Sequence, residues 1–168
     1  MELSGVLLDL YGRIPPLVRD AVDGLDVEQL VQQPAPGANT IAWLAWHIAR
    51  VQDHHVAEII GTEQIWSTGT WAESFHLARD PSNTGYGHSV DDALTVRPET
   101  PGAVTSYLDA VAARTSEMLQ RLSTEDLDRI IDRRWDPPVT LGVRLISIAD
   151  DGLQHAGQAA YARGILRI

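Results

Sequence analysis

His47, Asp151 and His155 are the residues of this chain whose types and spacing could do chemistry. Asp151 and His155 stand four apart in Asp151-Gly152-Leu153-Gln154-His155-Ala156-Gly157-Gln158. A continuous helix places such a pair on one face, one turn apart. His47 lies far upstream, in Trp46-His47-Ile48-Ala49-Arg50. Two imidazoles and a carboxylate suit a divalent transition metal, zinc or nickel foremost, and three protein ligands leave coordination positions open. A catalytic metal needs an open position and a structural one does not. Two further residues are candidates for binding a substrate or cofactor. Arg50, one turn from His47, could attract an anion. Gln158, one turn beyond His155, could orient a ligand or a bound water.

Each of these has a plainer reading. A histidine flanked by Trp43, Leu44, Trp46 and Ile48 also fits a hydrogen-bonded core residue, and His155 has the same alternative. Asp150-Asp151-Gly152 is a poor helix interior, since Gly152 alone costs about 1 kcal/mol relative to alanine. The helix could break there, or Asp151 could cap a fresh helix. Against both, the apolar period runs on through Leu145, Ile148, Ala149, Leu153, Ala156, Ala160 and Ile165. Arg50 could form a surface ion pair instead. His54 is seven residues past His47, on nearly the same face but about 10.5 Å along the axis, so it could line a pocket but not share one ion. His55, His76 and His88 read as surface or loop residues. Asp53-His54-His55 mimics a metal cluster, but adjacent helical residues diverge. The five tryptophans read mainly as core, with one or two from the 61–75 stretch available to wall a site.

The elements that must position these residues are helical. Residues 2–23 carry Leu3, Leu7, Leu10, Ile14, Leu17 and Val18 on one face, interrupted at Pro15-Pro16. Asp26 caps a short helix. Asn39 or Thr40 caps a long one that runs to about Ile60 and stops at Gly61. Residues 61–99 are irregular, and a loop of that length inside a domain is often functional. Thr100-Pro101 opens a third long helix, to about Leu122. Another short helical start follows at Ser123–Leu127, then a connection with an extended stretch at Ile130–Trp135. Thr140 caps the last helix, which ends near Gly164. The expected fold is all-α: a single-domain four-helix bundle over 1–168, with short extra helices and a long connection between the second and third long helices. Bundles build metal sites from facing helices.

Composition narrows the chemistry. The formal net charge is -10, which repels phosphate backbones and argues against nucleic acid as a partner. All 13 basic residues are arginine, so no lysine can form a Schiff base. The bias also fits GC-rich coding of the kind found in actinobacteria. No cysteine is present, which excludes disulfides, thiolate ligands and a cysteine nucleophile. No apolar run approaches the ~20 residues of a membrane span, so no membrane is expected as a partner. The start Met1-Glu2-Leu3-Ser4 carries no secretory pattern, and the expected location is cytoplasmic.

The segment Pro36-Gly37-Ala38-Asn39-Thr40-Ile41-Ala42-Trp43-Leu44-Ala45-Trp46-His47-Ile48-Ala49-Arg50-Val51-Gln52-Asp53 resembles the DinB-like superfamily. The likeness is nearest to its actinobacterial branch of mycothiol-dependent transferases, with maleylpyruvate isomerase-like members. His155-Ala156-Gly157-Gln158 resembles that superfamily's second ligand motif. Many relatives carry His-x-x-x-His there, and this chain has Asp151 in the first of those positions. The resemblance implies His47, Asp151 and His155 as metal ligands, a homodimer, and a small thiol such as mycothiol as cosubstrate. The leading expectation is therefore a metal-dependent thiol S-transferase or isomerase acting on an electrophilic small molecule. A thiol at an open metal position loses its proton to become the nucleophile. Two neutral imidazoles and one carboxylate leave a bound dication with net positive charge, which favours the thiolate. The alternatives are a metal-dependent hydrolase, a non-haem iron site, and a non-catalytic metal-binding or sensing stress protein.

Overall fold

The computed structural model describes residues 2–168; Met1, part of the N-terminal segment read above, lies outside them. The first arm of the bundle is two abutting helices, α1 (Leu3–Gly12) and α2 (Ile14–Val22). Pro15 and Pro16 fall in the first turn of α2, where backbone N–H groups lack helical partners in any case. Leu7, Ile14 and Val18 are buried as the periodicity requires, whereas Leu17 turns out to solvent. A capping box opens α3 (Val27–Leu30): the Asp26 carboxylate accepts from the Gln29 N–H, and the Gln29 side chain accepts from the Asp26 N–H.

Three long helices complete the bundle. Thr40 caps α4 (Ile41–Ile60), and Gly61 ends it in the left-handed conformation at φ 68°. The long connection contains two single turns of 3₁₀ helix and one helix that the periodicity did not predict, α5 (Val90–Leu94), opened by a Ser89–Asp92 capping box. Thr100 caps α6 (Pro101–Leu119), which stops short of Leu122. A short antiparallel ribbon follows, β1 (Ile130–Asp132) paired with β2 (Val139–Thr140). It runs directly into α7 (Leu141–Leu166), which Thr140 caps through the Val143 N–H. The fold is the all-α bundle expected, with only these two short strands among the described residues. Toward its end α7 buries Ala156, Ala159 and Ala162, while the expected Ala160 and Ile165 face solvent.

Helix α7 passes unbroken through Asp150-Asp151-Gly152. The readings in which the helix breaks here, or Asp151 caps a new one, are overturned. Gly152 is buried, and a Cβ added to it would lie 2.8 Å from Cδ1 of Ile14. Glycine is present because α2 and α7 approach too closely for a side chain, and that packing offsets its poor helix propensity. Helix α4 packs on both α6 and α7, and α2 packs on the same pair. Helices α4 and α7 run antiparallel: His47 is paired with Asp151, and His55 with Arg144 two turns away.

Candidate metal centre

The facing surfaces of α4 and α7 bring His47, Asp151 and His155 together. Each offers one ligand atom, and the three atoms lie within 4.8 Å of one another. Asp151 Oδ1 is 3.7 Å from His47 Nε2 and 3.5 Å from His155 Nε2. His47 is buried, and Asp151 and His155 are half-buried. The far side of each ring is engaged by an oxygen that can only accept. His47 Nδ1 lies 2.5 Å from the Thr84 carbonyl, and His155 Nδ1 lies 2.7 Å from Gln158 Oε1. In their neutral form both rings therefore carry their hydrogen on Nδ1 and turn a bare Nε2 toward Asp151. An outer hydrogen bond of this kind fixes the tautomer and orientation of a metal-ligating imidazole.

The electrostatics agree with the geometry. Burial pushes the Asp151 carboxyl up, but His155 and His47, which bear a hydrogen on Nε2 and a charge only when protonated, outweigh it and hold the group well below the usual carboxylate range. The bond to Asp151 raises His155 above the ordinary histidine value, against burial and with help from Gln158. Asp151 Oδ2 is buried and has no hydrogen-bond partner. A buried carboxylate with an oxygen left unpaired is costly, and a divalent cation at this carboxylate would offset that cost. The donor set, the tautomers and this orphaned oxygen all fit such an ion.

Three residues outside the sequence reading build the back of the site. Trp43 stacks flat on His47, with ring centroids 4.6 Å apart and an 11° interplanar angle. Thr84 supplies the carbonyl. Gly85 lets that loop close over the ring: its φ is 89°, and a Cβ there would meet His47 Nδ1 at 2.8 Å and Trp46 at 2.9 Å. The signal for Thr84 and Gly85 was the Gly85-Tyr86-Gly87 punctuation inside the long connection; for Trp43 it was a place one turn before His47 on α4.

Arg50 does not take the role expected of it. It is fully buried, and each guanidinium nitrogen has partners. Nε donates to the Asn83 carbonyl. Nη1 donates to Tyr107 Oη and Asp53 Oδ2. Nη2 donates to Gln64 Oε1 and the Pro81 carbonyl. The buried Asp53 carboxylate draws the cation inward, leaving no donor for an anionic substrate. Arg50 instead clamps residues 81–83 onto α4 and so holds Thr84 in place. Gln158, the other residue named for substrate or cofactor binding, has its Oε1 against His155 Nδ1.

The site opens on a groove of about 800 Å³ between α4, α7, the 82–86 loop and the ribbon. Its aromatic walls are Tyr86 and Trp135, not tryptophans of the 61–75 stretch. Trp66 and Trp71 pack on Tyr107 instead, with centroids 5.4 and 5.5 Å away. Trp135 is exposed rather than core. His54 lines the groove and accepts from Gln64 Nε2. His76 is exposed. His88 and His55 are not free surface residues. His88 stacks on Trp46 and accepts from Trp43 Nε1. His55 lies against Arg144, and burial, then Arg144 and His54, push it down to about 4 despite Glu58. Asp53 turns into the core as adjacent-residue geometry required, but His54 and His55 do meet, together with Glu58. Arg144 Nη1 lies 3.0 and 3.1 Å from the two His55 ring nitrogens, a fixed cation that opposes a second metal ion there.

The fold and site together define a helical bundle with a two-histidine, one-carboxylate cluster between facing helices. The sequence profile of the DinB superfamily matches residues 11–159, and the chain belongs to that superfamily. It is also similar, at 29% identity and with a TM-score of 0.90, to the conserved protein of a locus from Enterococcus faecalis seen in a crystal structure. The match covers 98% of this chain and 97% of that one. No curated protein matches. No helix of the described residues is long and apolar enough to cross a membrane.

Proposed function

We propose that this protein is a metal-dependent S-transferase or isomerase of the mycothiol-using kind. It would hold zinc or nickel on His47, Asp151 and His155 and join a small thiol to an electrophilic small molecule. One observation carries this reading. A half-buried donor set with preset tautomers and an orphaned carboxylate oxygen faces a groove large enough for two small molecules, in a chain without a cysteine of its own. The sulfur nucleophile must then come from a cosubstrate. The all-arginine, actinobacterial-type composition and the superfamily membership support the choice of mycothiol. A divalent cation bound there would supply Lewis acidity, stabilising the thiolate form of an incoming thiol. The thiol proton leaves to water in the groove. The sulfur attacks an electrophilic carbon, and the C–S bond forms as the π pair moves to the conjugated carbonyl. Protonation from water completes the addition. Thr84 and Gln158 keep Nε2 of each histidine aimed inward, and Asp151 supplies the negative charge that keeps the site from repelling a cation.

The test is metal content of wild type, His155→Ala and Asp151→Ala after reconstitution with zinc or nickel. It is followed by turnover of conjugatable electrophiles with mycothiol, other small thiols and no thiol. About one ion per chain in wild type, loss in both variants and thiol-dependent turnover are expected. Full occupancy in both variants would overturn the ligand set. Thiol-independent turnover would overturn the transferase reading in favour of hydrolysis, and inactivity of fully metallated protein across the panel would favour metal storage or sensing.

A further inference from the structure

The end of the groove away from the three candidate ligands holds a second constellation. Arg144 stands on α7, seven residues before Asp151, which is about 10 Å along the helix and on nearly the same face. It is almost buried, with its side chain 12% exposed, and it lines the groove. Its Nη2 donates to Asp132 Oδ2 at 3.0 Å, and its Nη1 packs on His55. No partner engages its Nε–H among the described residues. Arg134, in the turn between β1 and β2, grips the same carboxylate through Nε at 2.9 Å and Nη2 at 2.8 Å. Two guanidinium groups therefore share one buried carboxylate, which their hydrogen bonds and charge hold far below its usual range. Glu58, half out in solvent, is the other acid close to this end. Two arginines against Asp132 and Glu58 balance in formal charge, so what this end offers an anion is not net charge but guanidinium N–H groups held in place on Asp132. Between this cluster and Asp151 the groove is lined by Val51, Ile148 and Ser147, whose hydroxyl is turned back onto the Val143 carbonyl.

We infer that Arg144 and Arg134 form an anion subsite that receives a carboxylate of the electrophilic substrate, with an apolar stem lying along Val51 and Ile148 toward His47 and Asp151. Guanidinium N–H groups are strong carboxylate donors, and those not spent on Asp132 or His55, the Arg144 Nε–H and Arg134 Nη1, remain for a ligand. Anchoring both arginines on Asp132 in advance lowers the ordering cost of binding. The stem length follows from the two helical turns between the subsite and the reacting end. Assigning the carboxylate to the electrophile rests on the transferase reading; the subsite itself rests on the groove.

The experiment therefore uses no thiol and no electrophile. Octanoate and its neutral isostere octanamide are titrated calorimetrically into metal-free and zinc-loaded protein, for wild type, Arg144→Gln, Arg134→Gln and His155→Ala. Wild type should prefer octanoate by about tenfold or more with and without zinc, and His155→Ala should keep that preference. Arg144→Gln should abolish it and Arg134→Gln should reduce it. If Arg144→Gln does not fold by circular dichroism, the exposed Arg134→Gln carries the same comparison. Equal binding of acid and amide, or a preference unchanged in the arginine variants, would overturn the subsite. So would a preference that appears only with zinc and vanishes in His155→Ala, since the carboxylate would then sit on the metal. Failure of S-transfer leaves all of these outcomes readable.

Discussion

Replacing Gly152 by alanine puts two opposed effects on one atom pair. The helix gains about 1 kcal/mol of propensity. The new Cβ would sit 2.8 Å from Ile14 Cδ1, and overpacking of a close-packed core costs about 1–3 kcal/mol. The net expectation for Gly152→Ala is neutral to about 2 kcal/mol destabilising. Ile14→Val removes the offending Cδ1 and by itself costs about 0.5–1.5 kcal/mol. With both changes present, the nearest Ile14 atoms stand at 3.5 and 3.6 Å, which is ordinary van der Waals contact. The double variant should therefore be more stable than the sum of the singles by about 1–3 kcal/mol. Urea unfolding of the four proteins, followed by circular dichroism with equal m-values, measures this coupling. Metal titration on the same set reports function: zinc affinity should fall in Gly152→Ala, because Asp151 is its neighbour, and recover in the double variant. Additivity within about 0.5 kcal/mol would refute the claim that this contact sets the approach of α2 to α7.

Arg50→Met should cost about 3–5 kcal/mol, the usual penalty for breaking a buried ion pair from one side. It should also weaken metal binding, because the 81–83 segment and then the Thr84 carbonyl lose their anchor; chemical denaturation with a parallel metal titration checks both. His55, held down to about 4 when folded, takes up a proton more readily in the unfolded chain, so stability should fall as pH drops from about 6.5 toward about 4. Between about pH 7 and about pH 5 wild type should lose about 2 kcal/mol more than His55→Gln does. Parallel stability curves for the two would show that His55 carries no such linkage.

Much of the fold was legible because local chemistry wrote it. Thr40, Thr100 and Thr140 each cap a long helix with a side-chain oxygen, and Pro15-Pro16 split the first arm where backbone donors are lost. Helix α5 escaped because five residues are too few for an apolar period to show. The three candidate ligands were readable from residue type and i, i+4 spacing, together with a motif likeness. Arg50 was misread for a physical reason. One turn from His47 places it on the right helix, but its direction is set by Asp53 and Tyr107, and Tyr107 belongs to another helix. The walls of the groove were misassigned for the same reason, since no local pattern tells which tryptophan a distant Tyr107 will cover.

By itself the sequence determined which residues could ligate, and that four helical arms must carry them. Capping, periodicity and ligand chemistry are properties of neighbours in the chain. Only the tertiary structure decided that α7 stays continuous through Gly152, because that depends on Ile14 of a separate helix filling the missing side chain's space. It alone set the histidine tautomers, through Thr84 and Gln158, and aligned Arg144 with Arg134 on Asp132. Those contacts join segments distant in sequence, and their geometry exists only once the helices have packed.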